Sequence, residues 1–175
     1  MNAQGQTGGV PVQRLHHAVL YVRDVDRTTG FYEELLGFAV RHRVPGRAAF
    51  LTAPGSTSDH DLGIFAVGDR ASDSEAGRSS VGLYHLAWEV DTLQELARLA
   101  ERLREAGALV GASDHVVSKS LYCRDPDGLE FEVVWNVPEE LLPAEHPLAT
   151  RPLDLPAEIA RYGGDRLTNG MAAAG

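Results

Sequence analysis

Apolar positions along the chain fall into short alternating runs broken by turn-forming clusters, and in two places they switch to a helical period. Arg14 to Val22 alternates as a strand does, and Asp24 follows it as a helix N-cap. Phe31 and Leu35 share one face of that helix, which Gly37 ends. Three apolar runs come next, Ala39 to Val44, Ala48 to Thr52 and Leu62 to Val67, split by turns at Pro45-Gly46 and Pro54-Gly55. After a polar stretch over 69–80 the same order returns: a strand from Val81 to Val90, then Asp91 as cap with Gln94 as its capping-box partner. Leu93, Leu96, Leu99 and Leu103 make the apolar stripe of the second helix and Gly107 its stop. Strands at Ala108 to Ala112, Val116 to Arg124 and Leu129 to Val137 follow, with Asp125-Pro126-Asp127-Gly128 as the last turn.

The pattern is an internal repeat of a βαβββ unit. It predicts an α+β fold of paired βαβββ modules, 14–67 and 81–137, forming a curled mixed sheet around a metal-binding cavity. A Pro-rich extension over 138–162 follows, and 1–13 and 163–175 read as mobile ends. The repeat's best marker occurs twice: His17 precedes Leu20 and Val22, and His85 precedes Trp88 and Val90, each set followed within two residues by an acidic helix-cap candidate, Asp24 or Asp91.

Composition narrows the function classes. Apolar residues at 43% and charged residues at 23% are those of a folded globular chain. A net charge of -9 with a single lysine, Lys119, argues against a nucleic-acid partner. No apolar run is long enough to span a bilayer, the first residues lack signal-peptide character, and the lone Cys123 allows no internal disulfide, so the expected setting is cytoplasmic.

Strand alternation then places chemistry. His17, Val19 and Tyr21 share the face away from the first helix; His85 and Ala87 do so in the second unit, with Tyr84, Leu86 and Trp88 toward the helix; Glu132 and Val134 share the cavity face of the last strand. Two imidazoles and a carboxylate on one side of a divalent ion leave adjacent positions open, the ligand set of non-haem iron(II) oxygen chemistry. Each residue taken alone fits better as a hydrogen-bonded polar group in a half-buried strand; the case for a metal is their joint occurrence at matching places of a repeat. His16, His42 and His146 belong to no such constellation and read as surface or packing residues.

The segments HHAVLYVRD, FYEELLG, GLYHLAWEVD and DPDGLEFEV resemble the vicinal oxygen chelate superfamily of glyoxalases, fosfomycin- and bleomycin-resistance proteins and extradiol dioxygenases. The resemblance covers about residues 14–136 and implies His17, His85 and Glu132 as metal ligands, the D-P-D-G-x-x-x-E run from Asp125 to Glu132 being its strongest match; Leu129 stands where an Asn is usual. It is nearest to one-domain catechol 2,3-dioxygenase-like members, which implies His60, His115 and Tyr122 as catalytic residues, Fe(II) or Mn(II) as cofactor, and an aromatic diol and dioxygen as substrates. His115 is the loosest transfer, because its spacing to Tyr122 is tighter than the family pattern. His60 and Asp61 are neighbours, so an extended strand turns only one of them inward: His60 would supply a base, Asp61 a fourth ligand. The alternatives are a metal-dependent isomerase, lyase or thiol transferase of the glyoxalase and fosfomycin-resistance kind, and a metal-free ligand-sequestering protein. Open sheet edges predict a homodimer.

Overall fold

The structure, a computed structural model, describes residues 11–145 and 149–168. The first unit runs β1 (Ala18–Val22), α1 (Val25–Leu36), β2 (Ala39–Val44), β3 (Ala48–Thr52) and β4 (Leu62–Ala66). Its sheet has the order β1-β4-β3-β2, with β1 parallel to β4 and the other pairs antiparallel. α1 starts where expected: Asp24 accepts the N–H groups of Asp26 and Arg27, and Gly37 at φ 74 closes the helix by donating to the Glu33 carbonyl.

The second unit runs β5 (Leu86–Glu89), α2 (Leu93–Glu105), β6 (Leu109–Asp114), β7 (Ser118–Arg124) and β8 (Glu130–Asn136). β5 is parallel to β8, as β1 is to β4, so the two units repeat in topology as well as in sequence. A short strand β9 (Arg151–Pro152) extends this sheet to the order β5-β8-β7-β6-β9, and a third helix, α3 (Leu155–Tyr162), packs beside α2. The fold is therefore α+β, two open mixed sheets each backed by a helix.

Three local expectations change. The N-cap of α2 is Thr92, whose hydroxyl accepts the Glu95 N–H while the Glu95 carboxylate accepts the Thr92 N–H; the expected pair of Asp91 and Gln94 lies one residue too early. β5 begins at Leu86 rather than Val81, so Tyr84 does not alternate onto the helix side; it stays 70% exposed with its ring 4.6 Å from that of His85. The tail over 163–168, expected to be mobile, is bonded to the second sheet. The Trp135 indole donates to the Arg166 carbonyl, Leu167 bridges to Thr92, and the buried Thr168 hydroxyl donates to Glu89 at 2.6 Å. The expectations for 1–10 and 169–175, and for His146, lie outside the described residues.

Each sheet buries its helix-facing side. Leu20, Val22, Leu51, Leu62 and Ile64 close on Val25 and Tyr32 of α1, and Leu121, Cys123, Phe131, Val133 and Trp135 close on Leu93, Leu96 and Leu103 of α2. Burial pushes the Cys123 thiol up to about 12, which makes it an inert core group. The units meet along this same side: the Phe31 ring lies edge-on to Phe131, Phe38 does so to Trp88, and Arg102 on α2 donates to the Glu34 carbonyl at the end of α1. The D-P-D-G turn fastens the joint. Asp127 accepts from the Arg23 backbone N–H and guanidinium and from Arg27, and these bonds hold its carboxyl below the ordinary range despite burial. Leu129, the departure from the usual Asn, packs its side chain against the core of the first unit. Because helices and joint share one side, the opposite faces of both sheets stay open.

Candidate functional site

The open face of the first sheet carries His17, Val19 and Tyr21 in or beside β1, with Val19 51% and Tyr21 73% exposed. His60, just before β4, turns onto the same face: its ring stands 4.6 Å from that of His17 and 5.2 Å from that of Phe50. Asp61 turns away. It accepts from the Thr52 hydroxyl, the Ala53 N–H and the Ser56 hydroxyl, and so closes the β3–β4 connection. Geometry thus chooses His60, not Asp61, for the open face. His16 also joins, with Nδ1 2.9 Å from Nδ1 of His17. Strand alternation would place these neighbours on opposite sides, but the strand begins only at Ala18, so the two-residue period does not govern them.

The open face of the second sheet carries the rest. His85 Nε2 lies 3.1 Å from Glu132 Oε2, with side chains 25% and 14% exposed. Tyr122, opposite Glu132 in the β7–β8 register, bonds through its hydroxyl to His115 Nε2 at 2.7 Å. Burial, with the Glu132 carboxylate and Tyr84 nearby, raises the Tyr122 phenol above its ordinary value, so it is neutral and able to donate near pH 7. Ser120 sits one step along this face with a buried hydroxyl that has no hydrogen-bond partner among the described residues. Sequence reasoning missed Thr150, whose hydroxyl lies 3.2 Å from His115 Nδ1, and Thr168, which bonds Glu89. Both come from the tail, which has no periodicity to reveal them.

The fit to a metal divides at this point. Two ligands about 2.1 Å from one ion and at right angles to each other stand about 3 Å apart, the separation seen between His85 Nε2 and Glu132 Oε2. His17 does not join them in the chain: it belongs to the other sheet with His60, and among the described residues no group of three His, Cys, Asp or Glu side chains comes together that could hold a metal ion. The fold brings together two of the three expected ligands, and His60, the expected acid–base residue, lies beside the third.

Comparisons with known proteins agree with this architecture. Residues 14–133 match the model of the glyoxalase/bleomycin resistance protein/dioxygenase superfamily. Catechol-2,3-dioxygenase of Bacillus subtilis (strain 168) is 29% identical over 157 residues, 87% of this chain and 53% of that protein, and metapyrocatechase 2 of Cupriavidus necator is 28% identical over 71% of this chain and 37% of its own length. The chain therefore spans about half or less of these two relatives. Glutathione transferase FosA of Serratia marcescens is 29% identical over 70% of this chain and 80% of that protein. Among solved structures, a glyoxylase/bleomycin resistance protein/dioxygenase domain from Frankia sp. EAN1pec superposes with a TM-score of 0.60 at 26% identity, covering 73% of this chain and all of that one. With two βαβββ units, a D-P-D-G turn at their joint and a family match across both, the chain belongs to the glyoxalase/bleomycin resistance protein/dioxygenase superfamily.

Proposed function

We propose that the protein is an extradiol-type ring-cleaving dioxygenase for a catechol-like aromatic diol, using Fe(II), or Mn(II), held by His85 and Glu132 of one copy and His17 of a second. The observation that carries the reading is the open face of the second sheet, where the His85–Glu132 pair lies beside a neutral phenol already engaged by a histidine. Catechol-2,3-dioxygenase and metapyrocatechase relatives support it. The metal, when bound, would supply Lewis acidity and a redox couple at which a diol and dioxygen meet. The chain supplies the rest. Tyr122 donates from its phenol to a substrate oxygen and His115 holds that phenol in place. His60 takes a diol proton at an imidazole nitrogen and returns it later in the cycle. Val19 and Phe50 offer an apolar wall for a flat ring, with Ala87 and Val134 opposite.

The reading includes a homodimer, which the same geometry supports. The three ligands are divided between two sheets whose open faces lie away from the joint, so a two-fold partner would complete two equivalent sites by bringing each His17–His60 pair to the other copy's His85–Glu132 pair. A second reading, a metal-dependent isomerase, lyase or thiol transferase, is favoured by the FosA relative, of which this chain spans 80%.

Anaerobic loading with Fe(II), followed by oxygen uptake against a panel of catechols, tests the choice. Uptake with formation of coloured ring-fission products is expected. His60→Asn should keep the metal and lower turnover by about 10²- to 10⁴-fold. Stoichiometric metal with no uptake on any diol would reject ring cleavage in favour of the second reading.

A further inference from the structure

His115 reaches Tyr122 through an unusual piece of backbone. Val116, between β6 and β7, has φ 70, the only positive φ outside glycine among the described residues, and it is β-branched. The Val117 N–H donates back to the His115 carbonyl at 2.8 Å, closing a three-residue turn of the strained γ type. Such a conformation persists only where its surroundings enforce it. The His115 N–H bond to the Ser118 carbonyl and the Val137 N–H bond to the Val117 carbonyl tie the turn's backbone to its neighbours, and the side chain that holds it is Asp114. Its Oδ1 accepts the Val116 N–H at 2.8 Å and also receives the Lys119 ammonium. Lys119 is 1% exposed, and its Nζ lies 3.0 Å from Glu158 Oε2 on α3, with the Tyr162 ring 5.6 Å away. The Lys119 charge, with the Val116 bond, holds the Asp114 carboxyl below its ordinary range against the effect of burial. β9 pairs Arg151 with Asp114, which brings Thr150 against the far nitrogen of the same imidazole.

We propose that Asp114, Lys119 and Glu158 are positioning residues that fix the Val116 turn and so aim His115 at Tyr122, making the C-terminal helix α3 part of the site's machinery. One carboxylate oxygen joins the strained turn to a buried ammonium, and that ammonium is anchored at its other side by a helix nearly 40 residues further on. A buried ammonium without carboxylates would be costly, so the cluster resists rearrangement, and the turn inherits that resistance. The proposal rests on the reading above only for the use made of the His115–Tyr122 pair.

Ring nitrogen shifts of ¹⁵N-labelled histidine, recorded at one neutral pH on full-length protein without metal or substrate, test the aim of His115 directly. The native chain is expected to show one fixed tautomer at His115. Asp114→Ala should convert it to averaged shifts and move the Tyr122 ring signals, while exposed His42 on β2 reports an unchanged fold. Asp114→Asn keeps an acceptor for the Val116 N–H but loses the charge facing Lys119, and should recover the native shifts in part; Glu158→Gln, which leaves the Val116 bond intact, should move them in the direction of Asp114→Ala, by less. Native His115 shifts in folded Asp114→Ala, or no recovery in folded Asp114→Asn, would overturn the proposal. Should Asp114→Ala not fold, native shifts in Glu158→Gln would overturn it as well. Because no metal or diol enters the measurement, its failure is separate from a failure of the dioxygenase reading.

Discussion

At the residue scale, Asp125 shows how a turn motif fixes a charge state. Its Oδ1 accepts the N–H groups of Asp127 and Leu129, while Oδ2 is buried with no hydrogen-bond partner among the described residues. Burial raises its carboxyl to about 6, against bonds that work the other way. A carboxyl raised on folding stabilises the fold fully below its unfolded value near 4, and that contribution is lost as pH rises through 6. The loss approaches roughly 3 kcal/mol by pH 7 at 1.36 kcal/mol for each pH unit. Asp125→Asn keeps the Oδ1 acceptor and cannot ionise. Denaturant melts from pH 3.5 to 7 should therefore show the variant gaining on the native chain as pH rises; parallel curves would contradict this account of Asp125. The His60 and Asp61 pair shows what sequence could not tell. A two-residue period said that one of them turns inward, but the three donors that claim Asp61 belong to the β3–β4 connection, whose shape no period encodes.

At the scale of elements, legibility followed regularity. The helix stripes and the faces of β1, β5 and β8 were readable because a buried layer beneath each sheet enforces alternation, as the buried Leu20, Val22, Phe131, Val133 and Trp135 show. The reading failed where alternation was carried past a strand's true end, at His16 and Tyr84, and where two adjacent residues could both cap a helix. Thr92 prevails over Asp91 because its box partner falls at Glu95. Thr92→Ala should cost about 1 kcal/mol of stability and Asp91→Ala much less, since among the described residues the group of Asp91 that the fold uses is its backbone carbonyl, which accepts the Thr168 N–H. Equal losses in urea melts would return the cap to Asp91. β9 and α3 were not foreseen because a two-residue strand and a helix led by Asp154 and Pro156 carry little periodic signal within a Pro-rich stretch.

At the scale of the whole molecule, a repeat reveals matching positions but not which copy of a module faces which. The expectation of one cavity assembled from both units assumed a pairing within the chain, whereas α1 and α2 meet each other and leave His17 and His85 on separate open faces. Subunit mixing decides whether two chains share the proposed ligands. His17→Ala and His85→Ala should each lose metal and activity alone, and their equimolar mixture, after unfolding and refolding together, should recover about a quarter of the native sites, those built from the two unaltered halves. No recovery, or a monomer by light scattering, would confine the site to a single chain.

The burial of Lys119 also decides how these 175 residues meet amine-directed chemistry. It is the one lysine in the sequence, all the other cationic side chains among the 16 Lys and Arg being arginine, and it is enclosed by Asp114, Glu158 and Tyr162. The outer surface thus offers guanidinium groups but no ε-amine to acylating reagents, aldehydes or cyanate, and an enzyme that modifies lysine would find its target only after α3 had lifted. A covalent mark at Lys119 would therefore record how often the C-terminal helix comes away.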